Sequence, residues 1–459
     1  MTESLFFGAE RKPKTWHLTP SQLTLLGFIA LILLGAFLLW LPFSVTQPTS
    51  RSFLTALFTS TSAVCVTGLS VVDPSTYYTP LGQVILMALI QLGGLGYMTL
   101  YSLMVLAVGK RLSLRERFAM QQVLDLPGPG GVVRFVRRIL LMTLCLEGLG
   151  LLVLAGVWIP KMGWGKGLFF ALFHSVSAFN NAGFALFSDS LMGYQSNPVL
   201  LLTIATLVIF GGLGYPVLSE LWNRLRDHTK PLRWKYLSLH TRVCLIATAG
   251  LLVLGTYAIL FLELNNPHTL GVMSPFDKLL NAFFQSVMPR TAGFNALDTA
   301  KLGQATLFIT LTLMFIGTNP GGTGGGIKTT TIAVLFFKSL FSLQGRQSLV
   351  LFQRKISDST VNKAMATLLF SLVWINGVTV LLLLTEKKEF LLVIFEVVSA
   401  FATVGLSASL TPTLSELGQF LIILTMYAGR VGVITLGTAF WWQHRQSLLK
   451  YPEENLLVS

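Results

Sequence analysis

Phe58-Thr-Ser-Thr-Ser-Ala-Val-Cys-Val-Thr-Gly68-Leu-Ser70 is a stretch that this chain writes four times. Its other copies are Phe173-His-Ser-Val-Ser-Ala-Phe-Asn-Asn-Ala-Gly183-Phe184, Phe283-Phe-Gln-Ser-Val-Met-Pro-Arg-Thr-Ala-Gly293-Phe294 and Phe395-Glu-Val-Val-Ser-Ala-Phe-Ala-Thr-Val-Gly405-Leu406-Ser407. Each has a Phe ten residues before a Gly, with a large apolar residue after it, and the glycines are spaced by 115, 110 and 112 residues. Near-constant spacing marks internal repetition. One short polar element, repeated four times between long apolar runs, can be placed four times around one axis.

Around these copies the composition is that of a membrane protein. Of 459 residues, 53% are hydrophobic and 11% charged, too little polar surface for a soluble domain. Each repeat reads as a long apolar run, a short one and a long one: 23–43, 53–64 and 81–108; 139–159, 168–179 and 198–222; 239–264, 276–287 and 305–341, the last interrupted; 364–384, 390–401 and 417–442. The outer runs are long enough to cross a hydrocarbon core of ~30 Å, and the middle ones suit re-entrant helices. The expected fold is an all-α polytopic membrane protein of eight transmembrane helices, in four pseudo-symmetric helix/re-entrant loop/helix repeats around a central pore. The divisions are a tail over 1–20, repeats over 21–133, 134–238, 239–363 and 364–446, and a tail over 447–459. The first apolar run is a span, not a cleavable signal, because no small-residue cleavage site follows it.

Charge sets the orientation. On this topology the tails and the segments between repeats hold 23 of the 33 Lys and Arg and nine of the 19 acids, whereas the opposite face holds eight of each. By the positive-inside rule both termini are cytoplasmic and the four short loops enter from outside, in a multi-pass protein of the cell membrane. The basic segments read as topogenic and lipid-facing, with a cytoplasmic protein partner as the sharper alternative; nothing calls for nucleic acid. Cys65, Cys145 and Cys244 lack metal-ligand or disulfide spacing and read as free.

The repeated loop suits a bare cation. An alkali ion stripped of water needs replacement oxygens, and backbone carbonyls from several loops supply them without formal charge. Turning consecutive carbonyls inward favours a Gly at the turn, and the helix before it points its negative end at the ion. The candidate ligands are the carbonyls of Val66-Thr67-Gly68, Asn181-Ala182-Gly183, Thr291-Ala292-Gly293 and Thr403-Val404-Gly405. Asn180 and Asn181 are expected to brace their strand. Arg290 is expected to point away from the path and anchor its loop.

A second stretch, Ile316-Gly317-Thr318-Asn319-Pro320-Gly321-Gly322-Thr323-Gly324-Gly325-Gly326-Ile327-Lys328-Thr329-Thr330-Thr331, interrupts the third repeat. A helix crosses such a run only at a cost of about 1 kcal/mol per Gly and about 3 for Pro. Irregular backbone at membrane depth belongs where it is buried in protein or faces a wet cavity. Residues 317–328 are therefore expected beneath the filter as a gate. A phosphate-binding loop is disfavoured, since Ile327 separates Gly326 from Lys328 and no strand precedes it. Arg430, inside the last apolar run, is expected to bond to carbonyls of this loop, hold it shut and repel cations, with Lys328 acting alike or reaching the cytoplasmic interface.

The four loops, especially Arg290-Thr-Ala-Gly-Phe294 and Phe401-Ala-Thr-Val-Gly-Leu-Ser407, together with the 316–331 run, resemble the superfamily of bacterial Trk and Ktr and plant HKT potassium transporters. The likeness covers nearly the whole chain and is greatest to the Ktr membrane subunit, because only about 20 residues precede the first span. It implies a pseudo-fourfold pore, passive potassium uptake often with sodium as activator, a homodimer and a cytosolic nucleotide-binding regulatory ring; no cofactor is expected. Where the family's loop is similar to Ser-Thr-Gly-Gly-Gly-Ile-Lys, this chain has Gly322 in place of Ser, which implies a lost hydroxyl contact and a more mobile loop.

The remaining polar residues read as structural. Glu147 and Glu263 are expected near helix ends, interfacial or hydrogen-bonded, and His174 and Glu396 to fasten the short helices. A carboxylate-coupled carrier lacks intramembrane acids, and an enzyme lacks clustered His, Asp, Glu or Cys. A sodium-permeable channel of the same fold is the nearer alternative.

Overall fold

The computed structural model describes residues 19–47, 49, 51–96, 132–226, 233–346 and 348–440. The expected tails over 1–20 and 447–459, apart from residues 19 and 20, and most of the basic segment 110–138 lie outside them. The order of a long helix, a short helix and a second helix recurs four times. The first set is α1 (Pro20–Trp40), α2 (Phe53–Val64) and α3 (Pro80–Leu95). The second is α4 (Val132–Met162), α5 (Trp164–Phe179) and α6 (Pro198–Leu213), extended by α7 (Tyr215–Arg226). The third is α8 (Leu239–Glu263), α9 (Pro275–Val287) and α10 (Gln304–Phe315), extended by α11 (Thr329–Leu343). The fourth is α12 (Asp358–Glu386), α13 (Phe390–Phe401) and α14 (Glu416–Val431), extended by α15 (Val433–Phe440). Among the described residues the only strands are Val350–Leu351 and Arg354–Lys355, a small antiparallel hairpin.

Four helices are each long and apolar enough to cross a membrane: Ser21–Trp40, Arg134–Met162, Leu239–Glu263 and Asp358–Glu386. Their outer faces are bare hydrocarbon, with Leu152 and Leu254 each 70% and Phe261 80% exposed, an arrangement that suits lipid and not water. The second helices of the second, third and fourth sets, in contrast, are interrupted. The α6/α7 pair bends by 100° at Gly214 and the α14/α15 pair by 91° at Gly432. The runs 198–222 and 417–442, expected as continuous helices, are therefore broken. Of the run 81–108, only the part up to Gly96 is described. Gly96, Gly214 and Gly432 share one conformation, φ 76°, 90° and 88° with ψ 133°, 142° and 136°, which no α-helix can incorporate. Apolar residues on both sides of each break conceal it from a hydropathy reading.

Caps define where these helices start. Thr19 closes a capping box with Gln22, and Thr79, Asn197, Ser274, Ser357 and Ser415 each accept a first-turn amide. Pro follows four of the six, at the one position where its missing N–H costs no bond. Two second helices are tied at their starts by a carboxylate from the end of the preceding long helix. Glu263 accepts from the Gly303 amide (2.9 Å), and Glu386 accepts from the Ser415 amide (3.1 Å).

The short helices lie inside the bundle. Gly35, Gly150 and Gly255 leave room on the long helices for Ser60, Ser175 and Ser286. These hydroxyls donate to the carbonyls of Ile32 (2.7 Å), Glu147 (2.6 Å) and Leu252 (2.9 Å). In hydrocarbon each such bond replaces one that water cannot supply. A separate apolar cluster gathers Val334, Leu349, Leu351, Val361 and Ala364 under the hairpin.

Candidate functional site

The C-termini of α2, α5, α9 and α13 lead into four loops of one design. A non-glycine residue adopts the left-handed conformation in each: Val66 (φ 57°), Asn181 (58°), Thr291 (64°) and Thr403 (52°). Two residues later a Gly does so: Gly68 (94°), Gly183 (71°), Gly293 (70°) and Gly405 (93°). Left-handed Val and Thr are uncommon, and their recurrence at one register marks a shape that the surroundings impose.

The glycines meet in a closed circle. A Cβ built on Gly68 would lie 2.6 Å from the Ala182 oxygen, on Gly183 2.7 Å from Ala292, on Gly293 2.4 Å from Val404, and on Gly405 2.1 Å from Thr67. All twelve filter residues named from the sequence are thus brought together. The amides are turned toward the helices: Val66, Thr67 and Gly68 donate to the Ala63 oxygen, the Ser62 oxygen and the Ser62 hydroxyl. Thr403, Val404 and Gly405 repeat this on Ala400 and Ser399. Among the described residues no donor bonds to the carbonyls of residues 66–68, 181–183, 291–293 or 403–405. With ten of the twelve amides bonded within their own loops and the C=O groups without donors, the ring offers oxygens rather than N–H groups to its centre.

The loop 317–328 packs against this ring. Gly324 and Gly325 approach so closely that a Cβ on them would lie 1.8 Å from the Thr291 hydroxyl and 2.5 Å from the Thr403 hydroxyl. The Asn319 and Thr323 amides donate to Gly212 and Gly211 (both 3.1 Å), and Gly317 donates to Ile327 (2.9 Å). Gly321 accepts from Tyr215 (3.0 Å), while Thr318 accepts from Thr329 (3.1 Å). Pro320 and Gly321 lie beside the Gly214 bend. At Gly322 a Cβ would lie 3.0 Å from the Gly212 oxygen, so a Ser there would press on backbone. Arg430 donates to the Thr323 oxygen, as expected, and also to the Gly93 oxygen, linking the loop to the first repeat. Lys328 turns back to the Gly324 oxygen (2.8 Å), not to the cytoplasmic interface. No carboxylate among the described residues forms an ion pair with either cation.

Arg290 points into the bundle, donating to the Thr248 oxygen (3.2 Å) and hydroxyl (3.4 Å). Asn180 donates to Gln91 (2.9 Å) and Glu147 (3.0 Å), and Asn181 to the Arg290 oxygen (3.2 Å). Glu147 is therefore not at a helix end, as its position suggested; it is buried within α4 behind the second loop. Glu263 does lie at a helix end, accepting from Thr269, Asn266, Gly303 and Thr306. His174 accepts from the Leu186 amide (3.3 Å), and Glu396 from Ser407 (2.7 Å) and Thr411. Each thus ties a short helix to the strand returning from the ring.

A second repeated motif goes unnoticed when the sequence is read for polar loops. Gly93-Gly-Leu-Gly96, Gly211-Gly-Leu-Gly214 and Gly429-Arg-Val-Gly432 stand 25, 28 and 24 residues after the filter glycines. Their first glycines seat on the carbonyls of Val64, Phe179 and Phe401, at 2.2, 1.9 and 1.7 Å from a built Cβ. Aligning the repeats on Gly93, Gly211, Gly317 and Gly429 places Arg430 in register with Gly94, Gly212 and Thr318. Thr248, which also accepts from Asn319 (3.0 Å), carries no sequence signal at all.

Known proteins resemble the chain over nearly its full length. The profile of a family described as TrkH, cation transport protein, matches residues 11–450. The Ktr system potassium uptake protein B of Vibrio alginolyticus is 43% identical, covering 95% of this chain and 94% of its own. The potassium/sodium uptake protein NtpJ of Enterococcus hirae is 38% identical over 96% and 98%. The crystal structure of the potassium transporter TrkH from Vibrio parahaemolyticus superposes with a TM-score of 0.75, over 94% of this chain and 87% of that one. At 19% identity, that likeness speaks for the fold alone.

Proposed function

Since the chain belongs to the TrkH family of cation transport proteins, we propose that it takes up potassium through the ring of four glycine loops, with residues 317–328 and Arg430 as the gate. The observation that carries this reading is the closed circle of Gly68, Gly183, Gly293 and Gly405, with twelve carbonyls left without a donor among the described residues. Backbone oxygens replace the ion's water, and the negative ends of α2, α5, α9 and α13 add a favourable potential. Beneath, Arg430 and Lys328 place two uncompensated positive charges on consecutive carbonyls of the loop, which opposes a cation until the loop moves.

Potassium is the cargo, with sodium as an activator; the name of the Enterococcus hirae relative, potassium/sodium uptake protein, supports including sodium in any test. A sodium-permeable pore of the same fold is the second reading, and that name favours it too. Both termini lie in the cytoplasm, and the cytoplasmic face carries Arg224, Arg233, Lys235, Arg242, Arg354 and Lys355. This surface suits a regulatory partner, and the relative named as component B of a Ktr system supports one. The partner is a cytosolic nucleotide-binding ring, and the chain works as a homodimer.

Rubidium uptake by the full-length protein in liposomes, with sodium or potassium as competitor, tests the reading. Gly68→Ser, Gly183→Ser, Gly293→Ser and Gly405→Ser should each lower the preference for rubidium over sodium. Four variants with wild-type preference would remove the ring from the account.

A further inference from the structure

We propose that the intramembrane loop is a working part of the filter's scaffold, so that displacing it changes which cation passes as well as how fast. This rests on the gate reading above and extends it. Three bonded routes run from the loop to the ring. The Thr323 hydroxyl donates to the Asn181 side-chain oxygen (2.9 Å) and lies 3.3 Å from the Phe179 oxygen, while the Asn181 amide donates to the Arg290 carbonyl. The Gly325 amide donates to the Thr403 hydroxyl (2.9 Å). Asn319 and Arg290 share Thr248, one on its hydroxyl at 3.0 Å and the other on its carbonyl at 3.2 Å.

Two of the residues held in this way, Asn181 and Thr403, are strained, and the third, Arg290, precedes the strained Thr291. Asn181, Thr291 and Thr403 are left-handed, and a β-branched residue stays there only when its surroundings over-determine it. No gap separates loop and ring at these points, as the Cβ positions built on Gly324 and Gly325 show. Among the described residues the first filter loop has no direct bond to 317–328, and the first repeat is reached only through Arg430 on the Gly93 oxygen: the Thr67 hydroxyl is buried without a partner, and Val66 is buried in the apolar core. Withdrawal of the loop would therefore release three sides of the ring and leave the fourth, a distortion that alters the spacing of the carbonyls. Thr323 acts here as a positioning residue, working on the ion through Asn181.

The test is rubidium uptake with sodium as competitor, using the full-length protein in liposomes. Thr323→Val keeps the shape and removes the donor, and should lower the preference for rubidium over sodium about fivefold, the effect of one ordinary hydrogen bond. Thr323→Ser keeps the hydroxyl and should stay within about twofold of wild type on the same scale. If Thr323→Val does not assemble, Thr403→Val removes the acceptor of the second route and carries the same expectation. Unchanged preference in the valine variant would overturn the proposal, as would equal losses in Thr323→Ser and Thr323→Val. Arg430→Ala separates the two readings. Raised flux with unaltered preference defeats the coupling and leaves the gate, whereas unaltered flux defeats the gate itself.

Discussion

Gly405 is the most crowded of the four ring glycines, with a built Cβ 2.1 Å from the Thr67 oxygen, against 2.7 Å for Gly183 and its neighbour Ala292. Substitution by Ala adds about 1–2 kcal/mol for a Cβ in the left-handed region, and then the contact itself. Gly405→Ala should therefore lose more rubidium-over-sodium preference than Gly183→Ala, both measured by competition in liposomes; the reverse order would contradict the packing. Glu396 gives a second residue-scale expectation. Replacing it by Leu leaves the Ser407 and Thr411 hydroxyls without their acceptor, at about 1–3 kcal/mol, so the melting temperature in detergent should fall. The glycines were legible in the sequence because four copies in register are improbable by chance. The anchoring role of Glu396 was legible from its place beside an aligned Phe. Thr248 was not: a lone Thr inside an apolar helix looks like any other, and only the fold brings Arg290 and Asn319 to it.

At the scale of elements, the short helices end where the sequence says they should, at Val64, Phe179, Val287 and Phe401. Three of the runs stop before a small or polar residue, Cys65, Asn180 and Ala402, and that of the third repeat stops before Met288-Pro289. The runs 198–222 and 417–442 read as continuous but are broken, whereas the break within 305–341 is visible in its Pro and Gly cluster. Hydropathy registers length and composition, and these two breaks each consist of a single Gly, Gly214 or Gly432, flanked by apolar residues. The Gly-rich motif before each break has its own consequence. A Cβ on Gly429 would lie 1.7 Å from the Phe401 oxygen, whereas one on Gly250, inside α8, meets nothing within 4 Å. Gly429→Ala should destabilise the protein by about 1–3 kcal/mol, the usual range for overpacking. Gly250→Ala should be neutral or stabilising, by up to about 1 kcal/mol. Thermal unfolding of both in one detergent checks the contrast, and equal melting temperatures would contradict it.

Across the whole molecule, the loop 317–328 touches or bonds to the second, third and fourth repeats, and Arg430 reaches the first through the Gly93 oxygen. One guanidinium thus spans the loop and the opposite wall. Each of its bonds contributes about 1.5–3 kcal/mol as a charge-assisted bond, and Arg430→Ala should raise unregulated rubidium flux tenfold or more. The loop and the Arg could be found in the sequence because both are costly at membrane depth. That the Arg closes on two repeats at once could not be read, since Gly93 is an ordinary helical residue until the bundle is assembled. If the ring passes potassium, a dehydrated cation rests inside the glycine circle. Anomalous diffraction from crystals grown in rubidium tests this most directly. A peak is expected on the axis of the ring, ligated by carbonyls from residues 66–68, 181–183, 291–293 and 403–405. Ordered rubidium found elsewhere in the bundle, with none inside the circle, would contradict it.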